Sequence, residues 1–154
     1  MAKAAFGAGC FWHVQLEFSE KKGVKKATAG YMGGKIKNPT YEEVCTNRTG
    51  HVEVVQVEYD EKVISYDALL DLFWKIHDPT QGNKQGPDVG TQYRSVIFFY
   101  TKKQEEMAKH SQEKEQKKRS EKITTTIEKA PSFYPAKEYH QDYLKKRGER
   151  TCRI

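Results

Sequence analysis

The sequence predicts a single α+β domain in which strands alternate with two helices. The chain has 154 residues, the length of one ordinary domain. Its 7 Phe, 9 Tyr and 2 Trp can build a core, although 31% of the residues are charged. The hydrophobic patterns follow in the order βαββαβ, which is typical of a ferredoxin-like sandwich, and an appended helix, edge strand and C-terminal coil come after it.

The first half of the chain predicts a strand, a helix and two further strands. Residues 3–8 form a short stretch that is small or apolar after Lys3, and they predict the first strand. Apolar side chains at helical spacing predict a helix over residues 10–21. Residues 24–32 predict a second strand. The β-branched run over residues 52–59 predicts a third, with a bulge where Val55 breaks the alternation.

The second half completes the pattern and extends it. Ser65 can cap a helix over residues 66–77, and the almost wholly apolar residues 95–100 predict a strand that is buried on both faces. Three appended elements follow: a highly charged helix, an edge strand and a short last helix, over residues 102–122, 123–128 and 138–146.

Basic residues are concentrated at the C-terminal end. The formal net charge is +6, and residues 145–154 contain five basic residues and one acidic residue. Such a segment can bind an acidic partner or nucleic acid, or it is simply a solvated terminus. It has no aromatic side chain for stacking on bases, which argues against nucleic acid. We expect one monomeric domain over residues 1–154, with residues 145–154 as a mobile basic tail.

The chain shows neither a membrane span nor a signal peptide. No stretch approaches the roughly 20 apolar residues that a transmembrane helix needs, and residues 1–9 lack the pattern of a signal peptide. Cys10, Cys45 and Cys152 are too few and too scattered for a disulfide framework or a structural zinc site. A cytoplasmic protein with such separated thiols either buries them as inert side chains or uses them in redox or nucleophilic chemistry.

Two long connections are predicted to meet at one end of the sheet. Residues 33–50 and 78–92 are rich in Gly, Pro, Asn, Asp and Thr, and connections of this length are usually functional or disordered. In a βαββαβ topology, both connections reach the end of the sheet at which the first strand finishes. Cys10 directly follows that strand, so the sequence predicts a site around Cys10.

Cys10 itself is predicted at a helix N-terminus. The positive end of the helix dipole and the unpaired backbone N–H groups there favour a thiolate. The alternative is an inert cysteine at a tight turn between strand and helix. The local sequence does not decide between the two.

Polar side chains of matching chemistry are predicted at the same end. Glu53 precedes an apolar stretch, where partial burial would raise its pKa, as suits a general acid, and His51 shares its face. Tyr41 and Tyr93 offer hydroxyl donors, and Asp88 offers a carboxylate. Each of these residues could instead have a purely structural role. Glu53 could form a salt bridge at the end of a strand, the two tyrosines could pack in the core, and Asp88 could form a turn.

These groups indicate a thiol enzyme. Phe11 and Trp12 can wall an apolar subsite, although adjacent helical residues point in different directions. A thiolate, an acid and two phenols fit attack on an electrophilic centre whose oxygen gains charge. His140 with Cys10 would instead indicate a cysteine hydrolase, but no oxyanion motif is evident. A peroxidatic thiol enzyme and a basic nucleic-acid-binding module stay as alternatives.

Six segments carry a resemblance to a known family. They are GCFW (9–12), NPTYEEVC (38–45), TGHVE (49–53), FWKIHDPT (73–80), QGPDVGTQYRS (85–95) and YHQDY (139–143). In this order they resemble peptide methionine sulfoxide reductase A over nearly the whole chain. His13 and Gln15 depart from the Gly and Glu that the family often has there, and the family's glycine-rich tail is shortened.

The resemblance implies a reaction in which methionine sulfoxide is reduced by a thiol. Cys10 would attack the sulfoxide sulfur, and Glu53 would protonate its oxygen, to which Tyr41 and Tyr93 would donate hydrogen bonds. Methionine then leaves, and Cys10 remains as a sulfenic acid.

The resemblance also implies how the substrate is held. Phe11 and Trp12 would hold the substrate methyl group and select the S epimer. Asp88 would support the site by hydrogen bonding, and His51 is placed with these substrate-binding residues.

Regeneration would require a second thiol and an external reductant. Cys152 is expected to form a disulfide with Cys10, because a mobile terminus can reach it, and Cys45 is the rival resolving cysteine. Thioredoxin or another dithiol would then reduce the disulfide. The expected substrates are methionine sulfoxide in peptides and proteins, and no metal or organic cofactor is implied.

Overall fold

The computed structural model describes residues 1–34, 37–45, 49–86 and 88–147, which form a mixed α+β fold. Its strands are β1 (Ala2–Ala8), β2 (Val24–Met32), β3 (Val52–Tyr59), β4 (Lys84–Gln85), β5 (Asp88–Val89), β6 (Ser95–Phe99), β7 (Thr126–Lys129) and β8 (Tyr134–Pro135). Its helices are α1 (Phe11–Ser19), α2 (Tyr41–Cys45), α3 (Tyr66–Lys75), α4 (Lys102–Gln116) and α5 (Tyr143–Arg147), with 3-10 turns at Thr91–Tyr93 and Glu138–His140.

The described strands form one mixed sheet and a separate hairpin. The order in the six-stranded sheet is β7-β6-β1-β3-β2-β8, and β4 pairs with β5 apart from it. Every pairing is antiparallel except that of β6 with β7, which is parallel because α4 carries the chain back between them. In the described residues, no helix has both the length and the apolar content to cross a membrane.

Both faces of the sheet are covered. On the main face, the Phe6 ring of β1 lies 5.0 Å from that of Phe18 and 5.4 Å from that of Phe73, so α1 and α3 share one aromatic core. The opposite face carries a smaller apolar cluster under residues 130–133. The predicted bulge at Val55 is wrong: pairing runs regularly through it, and the register shifts in β2 between Val24 and Lys26.

Most predicted bounds agree with the structure, and side-chain hydrogen bonds set the start of α3 and the end of α4. The predictions of β2 and β3 are confirmed to the residue, and the Ser65 hydroxyl accepts from the Ala68 N–H and caps α3 as predicted. The charged helix stops at Gln116 rather than 122, because the Gln116 amide bonds to the backbone of Glu121 and Ile123.

The predicted helix over residues 138–146 is interrupted. Asp142 has φ 53, so a 3-10 turn and the short α5 replace one continuous helix. The Gln141 amide bonds to both the N–H and the C=O of Ala29 at 2.9 Å, which ties this segment to β2. Residues 145–147 of the predicted tail belong to α5, and residues 148–154 lie outside the described residues.

The two long connections contain short elements that the periodicity did not predict. In the first, the Thr40 hydroxyl accepts from Glu43 N–H while the Glu43 carboxylate accepts from Thr40 N–H, and this capping box starts α2. In the second, Gln85 pairs with Asp88 in the β4–β5 hairpin. The Thr-x-x-Glu spacing was the available signal for α2.

Candidate active site

Cys10 lies at the turn from β1 into α1. It is the N-cap residue of α1, its carbonyl accepts from Val14 N–H at 3.3 Å, and its side chain is partly exposed. The preceding Gly9 has φ 98, a conformation that favours glycine, and a side chain there would collide with Gln85. The thiol therefore stands at the positive end of a helix, as the sequence predicts.

Glu53 of β3 anchors the first turn of that helix. Its side chain is 2% exposed, and its Oε1 accepts from Phe11 N–H at 3.2 Å. Because Phe11 follows Cys10 directly, this hydrogen bond holds a buried carboxyl group beside the thiol. Burial of a carboxylate is costly unless hydrogen bonds compensate for the lost water, and buried ionisable groups are common at functional sites.

Three tyrosines surround the carboxyl group. Burial raises the pKa of Tyr41 and that of Tyr93, and the charge of Glu53 raises both further. The same two causes raise the pKa of Tyr31, which lies opposite Glu53 in the pairing of β2 with β3. All three phenols therefore stay protonated near neutral pH and act as hydrogen-bond donors.

Tyr31 is a site residue that the sequence analysis missed. Its side chain is 2% exposed, and its hydroxyl has no hydrogen-bond partner in the described part of the chain. Only the register of β2 against β3 places it next to Glu53, and periodicity does not fix a register.

Both long connections reach this end of the sheet. Tyr41 comes from the first, and the second packs the Gln85 side chain against Gly9. Gln85 is pinned by two 2.7 Å hydrogen bonds to the backbone of Asp78, so the hairpin that carries Asp88 is held beside Cys10. Burial raises the pKa of the Asp88 carboxyl group.

An aromatic wall stands beside the thiol. Phe11 is 1% exposed and packs into the core, whereas Trp12 is partly exposed and stacks on Tyr143 at 3.9 Å. The Trp12 indole N–H donates to His140 Nδ1 at 3.1 Å, and the His140 ring also packs on Tyr41 at 4.6 Å. His140 therefore orients the wall. Because its Nδ1 accepts a hydrogen bond, the proton of the neutral ring is on Nε2, so Nε2 cannot take a proton from Cys10, which argues against a cysteine-hydrolase arrangement.

His51 and the remaining cysteines have separate surroundings. The buried His51 accepts from Gly34 N–H at its Nδ1, and a side chain on Gly34 would collide with the His51 ring, so the pair fixes the start of the first connection. Cys45 is exposed at the end of α2 and is hydrogen-bonded to the Tyr41 hydroxyl. Cys152, the predicted resolving cysteine, lies outside the described residues.

Electrostatics at Cys45 disfavour its thiolate. Burial raises the pKa of the Cys45 thiol, the Tyr41 hydrogen bond opposes this, and the charges of Glu53 and Glu42 raise the pKa again. A raised pKa leaves less thiolate at neutral pH and slows nucleophilic attack. Over residues 1–34, 37–45, 49–86 and 88–147, no group of three or more His, Cys, Asp or Glu side chains could hold a metal ion.

A match to a known family covers this site. The family model described as "Peptide methionine sulfoxide reductase" matches residues 2–154. The chain belongs to this family. It is accordingly a thiol-dependent oxidoreductase that acts on methionine sulfoxide, as the sequence analysis predicts.

Relatives and solved structures agree with membership of the peptide methionine sulfoxide reductases. The chain is 58% identical over 154 residues to the peptide methionine sulfoxide reductase MsrA of Geobacter metallireducens, covering 99% of this chain and 95% of the relative. Reduced Mxr1 from Saccharomyces cerevisiae superposes with a TM-score of 0.93 at 36% identity, covering 98% of this chain and 88% of Mxr1. Mxr1 in complex with Trx2 matches with a TM-score of 0.66 at 26% identity, over 92% and 84% of the two chains.

Proposed function

We propose that the protein reduces the S epimer of methionine sulfoxide, free and in peptides and proteins, through Cys10. The observation that carries this proposal is the hydrogen bond from Phe11 N–H to Glu53, because it joins the helix that begins beside the thiol to a buried carboxyl group. A nucleophile and a proton donor are then available on the same substrate.

In the first half-reaction, Cys10 Sγ attacks the sulfoxide sulfur. Glu53 delivers a proton to the sulfoxide oxygen, and the hydroxyl groups of Tyr41 and Tyr93 donate hydrogen bonds to it as charge develops. The oxygen is transferred to Cys10, which becomes a sulfenic acid, and methionine leaves. The unpaired Tyr31 hydroxyl supplies a third donor on the Glu53 side of the site.

Substrate recognition follows from the aromatic wall. The partly exposed Trp12 and the edge of Phe11 receive the substrate methyl group and so distinguish the two epimers. Asp88, on the hairpin held against Gly9, supports the polar side of the pocket. For His51 we propose a positioning role, because its contact with Gly34 supports the loop rather than the pocket.

In the second half-reaction, Cys152 attacks the sulfenic sulfur of Cys10, a disulfide forms and water leaves. The raised pKa of Cys45 counts against this rival. A thioredoxin then reduces the disulfide by thiol exchange, a proposal supported by the solved complex of Mxr1 with Trx2. No metal or organic cofactor takes part in this scheme.

We also propose the organisation of the protein. The strand order β6-β1-β3-β2, with α1 and α3 packed against it, supports a ferredoxin-like core in one catalytic domain over residues 1–154. We propose a cytoplasmic monomer that binds neither nucleic acid nor membrane.

Turnover of racemic methionine sulfoxide with dithiothreitol tests the proposed function. Chromatography that separates the epimers should show complete loss of the S epimer, retention of the R epimer and one methionine per sulfoxide consumed. Cys10→Ser should abolish the reaction, while Cys45→Ser should preserve it. Loss of both epimers at equal rates, or an active Cys10→Ser protein, would refute the proposal.

A further inference from the structure

A polar groove runs along the edge of β2, away from Cys10. It encloses about 550 Å³ between β2, α1 and the segment that leads into α5. Its lining includes Gln15, Ser19, Lys25, Lys26, Ala27 and Lys145. None of these residues takes part in the proposed chemistry at Cys10.

The groove carries excess positive charge. Lys25, Lys26 and Lys145 are exposed, and none of them joins an ion pair within the described part of the chain. Of the two acids in the lining, Glu138 is already paired with Lys146 at 3.5 Å. The groove therefore offers three ammonium groups whose charge is not neutralised by direct contacts.

The groove also has a backbone donor on its floor. Gln15 Nε2 donates to the Ala27 carbonyl at 2.8 Å, and the Gln141 amide pairs with Ala29 on the same edge. Because alternate residues of a strand face the same edge, the Ala27 N–H points the same way as that of Ala29. Ala27 N–H thus points to the groove edge of β2, on the side where Gln15 bonds the Ala27 carbonyl, and it is a donor for a peptide carbonyl or carboxylate there.

The helix α1 links the groove to the thiol. Trp12, Gln15 and Ser19 are three and four residues apart, so they lie along one stripe of α1. Gln15 and Ser19 lie roughly 7 to 14 Å along the helix axis from Cys10, at about 1.5 Å per residue. An extended chain covers that distance in about two to four residues, at about 3.3 Å each.

We propose that this groove binds acidic side chains of oxidised polypeptides, two to four residues from the methionine sulfoxide that occupies the Cys10 site. Charge complementarity selects this occupant, because a basic segment would be repelled and a neutral one would leave the lysines solvated. The inference rests on the proposed function and adds a sequence preference to it.

Two nine-residue peptides test the preference. Each carries a central methionine sulfoxide, with Glu at the second to fourth positions on both sides in one peptide and Gln in the other. Dithiothreitol serves as the reductant, which removes any effect on a protein partner. At low salt, kcat/KM should be about three- to tenfold higher for the Glu peptide, since each exposed ion pair contributes a factor of about 1.4 to 5.

The lysines are tested by charge reversal in two triple variants that have the same net charge as each other. Lys25→Glu/Lys26→Glu/Lys145→Glu should invert the preference for the Glu peptide. The matched control, Lys103→Glu/Lys114→Glu/Lys122→Glu, reverses three charges on and after α4, outside the groove. It lowers the net charge by the same amount and should keep the preference for the Glu peptide. High salt should remove the preference of the wild type, because the Debye length falls to about 3 Å at 1 M.

The outcomes separate the two proposals. If the wild type reduces N-acetylmethionine sulfoxide but treats the Glu and Gln peptides alike, the groove proposal fails and the proposed function stands. If the control variant loses the preference as the groove variant does, overall charge rather than the groove causes it. If the small substrate is not reduced at all, the proposed function fails first.

Discussion

Two polar clusters at the same end of the sheet differ in whether their hydrogen bonds are complete. In the first, His77 is bonded to the Phe73 carbonyl at 2.6 Å and to the Ser95 hydroxyl at 2.8 Å, and Ser95 is bonded to Thr125 at 2.7 Å. Both ring nitrogens of the histidine are thus satisfied. This cluster ties α3 and β6 to the residues before β7.

The cluster around Cys10 is incomplete within the described residues. The Tyr31 hydroxyl and His140 Nε2 are buried without a hydrogen-bond partner. Tyr66, in the core near the other end of the sheet, also has an unpaired hydroxyl, so an orphaned group alone does not indicate a site. Beside a thiol and a buried carboxyl group, however, unsatisfied donors are the arrangement that a polar substrate would complete. The comparison predicts that mutations affect stability in the first cluster and catalysis in the second.

The largest effect is expected from Glu53→Gln. The amide keeps an oxygen for Phe11 N–H but has no acidic proton, so reduction of the sulfoxide should slow by about 10²- to 10³-fold. Rapid-quench measurement of methionine formation in a single turnover gives this rate. A rate within twofold of the wild type, with the fold intact by circular dichroism, would show that another group protonates the oxygen.

Acidification should destabilise the His77 cluster. Burial lowers the pKa of His77 to about 4, so between the unfolded value of 6.5 and that value the unfolded state binds more protons. The stabilisation is therefore complete above pH 6.5 and is lost as the pH falls to about 4, at about 1.4 kcal/mol per pH unit. Urea unfolding at pH 7 and pH 5 should show a difference of about 2 kcal/mol.

The matched control for that titration is His77→Gln, which cannot titrate. Its free energy of unfolding should change by less than that of the wild type between pH 7 and pH 5. Equal pH dependence in the two proteins would assign the effect to other groups.

Ser95→Ala should lower stability without slowing catalysis. The change removes the hydroxyl that bonds to His77 Nε2 and to the Thr125 hydroxyl, while His77 keeps its bond to the Phe73 carbonyl. The loss should cost about 1–3 kcal/mol of unfolding free energy. The kcat for methionine sulfoxide, measured well below the unfolding temperature, should stay within twofold of the wild type. A large fall in kcat would show that the His77 cluster also contributes to catalysis and would contradict the comparison.

The smallest effect is expected from Tyr31→Phe. Unlike Ser95→Ala, it should lower catalysis and leave stability unchanged. Removing an unpaired hydroxyl should leave the unfolding free energy within about 0.5 kcal/mol of the wild type, because no protein hydrogen bond is lost. The kcat/KM should fall several-fold if the hydroxyl serves the substrate oxygen. An unchanged kcat/KM would show that the Tyr31 hydroxyl does not contribute to the reaction.

Local sequence signals were sufficient for the framework and for part of the site. The β-branched run of β3 and the Ser65 cap were recognised because their signals lie within a few residues. The convergence on Cys10 followed from strand order alone. Tyr31 was missed because its placement beside Glu53 depends on strand register. His140 was noticed, but its contact with Trp12 was not predicted, because the two residues are more than 100 positions apart. The end of α4 depended likewise on where one side chain, that of Gln116, folds back.

The most direct test of the central claim is the intact mass of the protein after one turnover with racemic methionine sulfoxide and no reductant. We expect one methionine per chain and the loss of two hydrogen atoms in the wild type and in Cys45→Ser, as a disulfide requires. Cys152→Ser should instead gain one oxygen atom, located at Cys10 by peptide mapping. Methionine formed by Cys10→Ser, or a wild type that forms none from the S epimer, would contradict the account.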